Sequence, residues 1–213
     1  MKNRKFGVTI LLAALWCLGF PAAGKTQDLW HRWYGALTYE ISWPTGDTND
    51  IISETSFRGI GLDARNRVNE NTTAGLFFGW NVFYERTTET TQLETDPPGA
   101  VTGTQDRTLN VFPIMASVHR YLTQRGGKAT PFFGVNAGGY IMLQRLAIGV
   151  VAIDNDRWDW GIAPEAGLIF HLQRGANLLV SGKYNYAFTG ESVGGADINH
   201  QWWSLNMGFA WRE

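Results

Sequence analysis

Side-chain nucleophilic catalysis needs a hydroxyl or thiol beside a base, with an acid to orient the base, so the histidines and their neighbours come first. The chain has 4 His. His200 and Ser204 stand four residues apart, which in a strand puts them on one face but about 13 Å from each other, too far for a hydrogen bond. His171, Glu165 and Asp159 share another segment, where a hydrogen-bonded interior histidine and paired charges account for them without any reaction. His119 lies on the least regular segment and His31 near the start. The sequence holds no phosphate-binding glycine loop, dinucleotide fingerprint, nucleophile elbow or metal-ligand cluster of useful spacing. No catalytic residue, cofactor or metal is expected, and the chain is not expected to be an enzyme.

The segments that hold these residues alternate apolar and polar positions with period two, the mark of long strands. In 177–189 Leu178, Val180, Gly182, Tyr184, Tyr186 and Phe188 share one face, opposite Asn177, Ser181, Lys183 and Asn185. Residues 202–211 set Trp203, Leu205, Met207, Phe209 and Trp211 against Trp202, Ser204 and Asn206. Residues 157–171 set Trp158, Trp160, Ile162, Ala166, Leu168 and Phe170 against Arg157, Asp159, Glu165 and His171. The same alternation runs through 32–43, 57–68, 72–86 and 131–145. An eighth strand, 108–121, has no clean face, because Phe112, Ile114 and Val118 oppose Leu109, Val111 and Met115; Pro113 reads there as the mark of a bulge.

Connections at 69–71, 123–130 and 173–176 are short, and those at 44–56, 87–107, 147–156 and 190–199 are long. Alternating short turns and long loops, with both chain ends on the short-turn side, predict an all-β, eight-stranded, antiparallel up-and-down transmembrane β-barrel. A soluble barrel would bury its apolar faces, but the Trp, Tyr, Phe and Leu on them would overfill an eight-stranded interior. They are therefore expected to face lipid. Aromatics near strand ends, Trp33, Trp43, Tyr84, Trp158, Tyr186, Phe188, Trp203 and Trp211, suit two interfacial girdles.

The polar faces then bring Arg32, Glu40, Asp63, Arg65, Arg67, Glu85, Arg157, Asp159, Glu165 and Lys183 into one lumen, as a mixed charge network that plugs it. Gly59, Gly61, Gly75, Gly79, Gly134 and Gly138 would leave room for the long side chains. The long segments collect Asp47, Asp50, Glu54, Glu89, Glu94, Asp96, Asp106, Asp154, Asp156, Glu191 and Asp197, so the outer rim is expected to be acidic.

Lys2, Arg4 and Lys5 precede an apolar run over 6–18 and the small residues Ala22, Ala23 and Gly24, which predicts a signal peptide at 1–24 and a barrel domain over 25–213. Removing three basic residues leaves 15 Lys and Arg against 19 Asp and Glu, a formal charge of -4 that argues against nucleic acid. The 1 Cys, Cys17, falls inside the predicted signal, so no disulfide is expected in the mature protein.

The pattern resembles the small outer-membrane β-barrel superfamily, that of the outer-membrane protein A transmembrane domain and the outer-membrane protein W and X type. The resemblance rests on the exit from the first strand, Trp43-Pro44-Thr45-Gly46-Asp47-Thr48, on Gly79-Trp80-Asn81-Val82-Phe83-Tyr84, on Ala163-Pro164-Glu165-Ala166-Gly167 and on the closing aromatic strand. Members typically end on an aromatic residue read by the barrel-assembly machinery, whereas this chain continues for two polar residues beyond Trp211. The resemblance implies the bacterial outer membrane, contact with its lipid and lipopolysaccharide, and insertion by that machinery. A non-enzymatic, porin-like barrel of the Gram-negative cell envelope follows, in an envelope-structural or surface-interaction role with an unidentified loop ligand. A narrow channel or carrier for small or hydrophobic solutes, or a lipid-modifying barrel enzyme using His200 and Ser204, stands behind it.

Overall fold

The computed structural model describes residues 33–93, 99–122, 128–148, 151–172, 176–188 and 199–212. The predicted signal segment, together with His31, Arg32, Glu94, Asp96, Glu191 and Asp197, lies outside them. Eight strands run in chain order: β1 Trp33–Thr45, β2 Ser56–Asn69, β3 Thr72–Leu93, β4 Gly99–Tyr121, β5 Ala129–Ile148, β6 Val151–His171, β7 Ala176–Phe188 and β8 His200–Arg212. A short helix, α1 (Asp47–Ile51), joins β1 to β2. Each strand pairs antiparallel with its chain neighbours, and β1 pairs with β8, which closes the barrel.

Period-two alternation is what allows this closure. Every other side chain of each strand points out, so Trp33, Leu37, Tyr39, Ile60, Leu62, Trp80, Val135, Trp160, Phe209 and Trp211 are exposed. The residues between them, such as Glu40, Asp63, Arg65, Asn136, Glu165 and Lys183, are buried. An apolar exterior around a polar interior inverts the soluble pattern, and it is stable only where lipid replaces water outside. Among the described residues no helix is long and apolar enough to cross a membrane.

Two features differ from the sequence reading. The stretches 87–107 and 147–156 are mostly strand, because β3 and β4 pair as far as Leu93 with Gly99, and β5 and β6 as far as Ile148 with Val151. Thr-rich and Val-rich alternation favours extended backbone even beyond the membrane. The strands of 22 and 23 residues far exceed the roughly 10 needed to cross. Pro113 marks no bulge. Phe78 faces Ile114 and Asn81 faces Val111 in one register, with only the ladder pairs between them missing, as expected of a residue without an N–H. A bulge is found in β2 instead, where the register against β1 shifts between Glu40 and Ser42.

Candidate functional site

The barrel interior has three layers. At the end where β1 begins and β8 ends, Tyr34, Ala36, Phe132, Ile169, Leu179 and Ala210 form an apolar cluster against which Tyr121 packs. At the opposite end a second cluster includes Phe83, Leu109, Val111, Tyr140, Met142 and Trp202, closed by Ile52 from the segment after α1. Its inward Leu109, Val111 and Met115 explain why β4 has no clean polar face: both of its faces meet apolar surroundings, lipid outside and this cluster inside.

Ionisable and amide side chains fill the space between. Arg65 donates from Nε to Asp63 Oδ1 at 3.0 Å, and its Nη2 forms an ion pair with Oδ2 at 2.9 Å. The same guanidinium lies over the rings of Tyr34 and Phe132, and Nη1 donates to the Tyr121 hydroxyl. Glu165 is the hub. Its Oε2 lies 3.0 Å from His119 Nε2 and accepts from Asn136 Nδ2, while Oε1 accepts from Ser181 Oγ at 2.6 Å. Arg65 Nη2 stands 3.8 Å from that Oε2, and Lys183 is the direct cross-strand partner of Glu165. Lys183 Nζ donates to Glu40 Oε1 at 3.5 Å and sits 3.3 Å from the Phe77 ring centroid. Glu40 Oε2 accepts from Asn81, whose Oδ1 accepts from Ser42. Ser42 meets Ser204, which accepts from Asn185, which in turn accepts from the Tyr140 hydroxyl.

Glycine makes room for part of this layer. A Cβ at Gly134 would stand 2.3 Å from the His119 ring, and one at Gly61 would stand 2.7 Å from Glu40 Oε1.

The predicted charge set divides by position. Glu40, Asp63, Arg65, Glu165 and Lys183 meet in the middle layer. Arg157 and Asp159 pair separately nearer the α1 end, at 3.0 Å. Glu85 is half-buried and accepts from the Ser53 N–H and hydroxyl. Arg67 is exposed and donates to the Glu70 carbonyl, although it has the same parity as Arg65; β2 there reaches its last turn, beyond the closed interior. Arg32 lies outside the described residues. His119 is the member that the sequence reading missed. Its parity was visible only by treating β4 as inward-facing at Leu109, Val111 and Met115.

His200 and Ser204 do not meet. His200 is buried beside Thr48 and Gln144, whereas Ser204 is held by Ser42 and Asn185. Gln201 N–H donates to Thr48 Oγ1 at 2.7 Å, so the Thr48 hydroxyl is free to donate to His200 Nδ1, 3.3 Å away. Arg107 Nη1 adds a bond to the Ile51 carbonyl. The β1–β2 segment is thus tied across the interior by side chains of β3, β4 and β8. His171 is bound by Asn177 and Thr130. Among the described residues no group of three or more His, Cys, Asp or Glu could hold a metal ion.

A closed antiparallel barrel with lipid-facing aromatics and a charged interior defines an outer-membrane protein, and the comparisons with known proteins agree. The chain matches the outer membrane protein beta-barrel domain family over residues 10–211 and belongs to that family, whose place is the bacterial outer membrane. Comparison with curated proteins by sequence finds no match. Among solved structures, Neisserial surface protein A is similar at a TM-score of 0.59 and 14% identity, over 85% of this chain and 97% of that one. Ail, the attachment invasion locus protein of Yersinia pestis, gives 0.47 and 12%, over 85% and 99%. The E. coli outer membrane protein W gives 0.47 and 13%, over 88% and 100%. At these identities the first likeness is one of fold.

Proposed function

We propose that the chain is a non-enzymatic envelope barrel whose plugged lumen makes it a structural or surface-interaction protein rather than a pore. The observation that carries this reading is the stacking of two apolar clusters on either side of a charged layer whose members are almost all buried. Water and ions crossing it would have to separate opposite charges already paired at 2.9 to 3.8 Å. In this reading residues 1–24 are a signal peptide, the assembly machinery inserts the chain, and acidic outer segments face partners beyond the lipopolysaccharide.

Planar-bilayer recording of the refolded chain is expected to show no steady conductance. Steady single-channel openings would overturn the plugged reading. A second reading, a narrow carrier for small or hydrophobic solutes, draws on the apolar lining of the cluster under Ile52. The β1–β2 segment that straps this end is held by the hydrogen bonds of Thr48 and of the Ile51 carbonyl. Solute uptake into vesicles that rises when Thr48→Val cuts the strap would favour it. A lipid-modifying role is disfavoured by the separate partners of His200 and Ser204, and unchanged lipid after incubation with the folded barrel is the expected result.

A further inference from the structure

We propose that the lipid-facing rim across β2 and β3, at the end where β1 leads into α1, docks the phosphorylated headgroup of an outer-leaflet glycolipid, with Arg58 taking the phosphate. The inference rests on the outer-membrane reading and names one lipid contact within it.

The first observation is the bulge in β2. Ser42 faces Ser56 while Glu40 faces Gly59, so Phe57 and Arg58 together oppose the single residue Ile41. Ser56 and Gly59 are buried, and the two residues between them both point out, Phe57 at 62% exposure. Side chains build this irregularity. Ser56 Oγ accepts the Arg58 N–H at 3.2 Å and donates to the Val82 carbonyl, and the Tyr39 hydroxyl donates to the Phe57 carbonyl. A bulge at a barrel rim re-aims side chains, and this one sets an aromatic ring beside a cation on the membrane side.

The second observation is charge. Among the described residues the exposed Arg58 guanidinium forms no ion pair, its electrostatic neighbour being the Tyr84 hydroxyl, whereas the outward Arg86 and Arg145 are paired with Asp106 and Asp154. On β3, Arg86 is held by Asp106 through Nε at 2.6 Å and Nη2 at 3.0 Å, and Tyr84 donates to the same carboxylate. In the half of the barrel nearer α1, the described outward side chains of β2 to β4 therefore carry Arg58, Arg86 and Asp106, one net positive charge. Those of β5 and β6 carry Arg145, Asp154 and Asp156, one net negative charge.

An unpaired arginine on a lipid face is costly at mid-membrane and tolerated near the headgroups. Arg58 stands diagonal to Tyr84 and one step beyond the outward Ile60 and Trp80, the level to which the proposal assigns the headgroup phosphates of the outer leaflet. Guanidinium and phosphate match in charge and planar geometry. Phe57 would cover the first methylenes of the acyl chains.

The test is native mass spectrometry of the full refolded chain in neutral detergent, with lipid A, dephosphorylated lipid A and inorganic phosphate as probes. Each variant is first checked for the gel shift on boiling. Wild type is expected to retain lipid A, Arg58→Gln to bind it about tenfold more weakly, and Arg58→Lys to recover part of the loss. Arg145→Gln, in the negative sector, is expected to stay within about twofold, since it contributes no contact. Undiminished binding by a heat-shifted Arg58→Gln overturns the proposal, as does equal retention of the dephosphorylated lipid. Inorganic phosphate displacing lipid A at equal concentration would make the patch a free-anion site and overturn the lipid assignment. A chain that runs alike boiled and unboiled would instead sink the barrel reading.

Discussion

Replacing Glu165 by Gln isolates the worth of one charge in the middle layer. The amide is nearly isosteric: its oxygen can keep His119 and Asn136, and its NH₂ can donate to Ser181 Oγ. What disappears is the negative charge between Arg65, at 3.8 Å, and Lys183, directly across the β6–β7 ladder. Both cations keep one carboxylate, Asp63 at 2.9 Å and Glu40 at 3.5 Å, so the loss belongs at the lower end of the range for a broken buried pair. That is about 3 kcal/mol. With a urea slope of about 2 kcal/mol per molar, the unfolding midpoint should fall by about 1.5 M. Tryptophan emission of the refolded barrel in lipid vesicles, followed through a urea titration, reads this directly. Glu85→Gln, which removes a half-buried carboxylate whose hydrogen bonds among the described residues go to Ser53, should move the midpoint by less than about 0.5 M. If the two variants shift alike, the middle layer is hydrated enough to screen its charges, and the case for a plugged lumen fails with it.

Three further outcomes follow from the packing and the rim. Trp202→Ala removes a fully buried ring that meets Tyr140 and Phe83 edge-on and should cost about 3–5 kcal/mol in the same titration. It should still give no conductance, because the Arg65 layer and the Tyr34 and Phe132 cluster stay closed; open channels from this variant alone would sink the idea of barriers in series. Gly134→Ala would press a methyl to 2.3 Å of His119 and 2.4 Å of the Val118 carbonyl and should cost about 1–3 kcal/mol. Gly182→Ala meets nothing within 4 Å and should be neutral or stabilising by up to about 1 kcal/mol, so equal losses would refute the steric account. Asp106, beyond the membrane on the β3–β4 ribbon, is held at about 2, below the usual 3.8, by hydrogen bonds from Arg86 and then Tyr84. Its contribution is therefore complete above the unfolded value and fades as pH falls through about 2. A carboxyl carbon shift titration should find that midpoint and its return toward an ordinary aspartate in Arg86→Gln; an unmoved midpoint would assign the shift elsewhere.

The sequence by itself determined which residues meet lipid. Strand parity is a local property, so one count of alternation placed Leu37, Trp80, Val135 and Phe209 outside and Glu40, Asp63, Glu165 and Lys183 inside. The short turns and the even strand number carried the topology in the same way. Parity cannot say how far along the barrel a residue sits, and there the tertiary structure decided. Arg65 and Arg67 share a face, yet one is sealed among Asp63, Tyr34 and Phe132 while the other ends on a turn carbonyl. Nor can parity reveal that a lumen is apolar at both ends, which hid the inward face of β4 and, with it, His119 on Glu165. The partners of that glutamate come from β2, β4, β5 and β7, and only closing the sheet in its actual register brings strands so distant in the chain to one carboxylate.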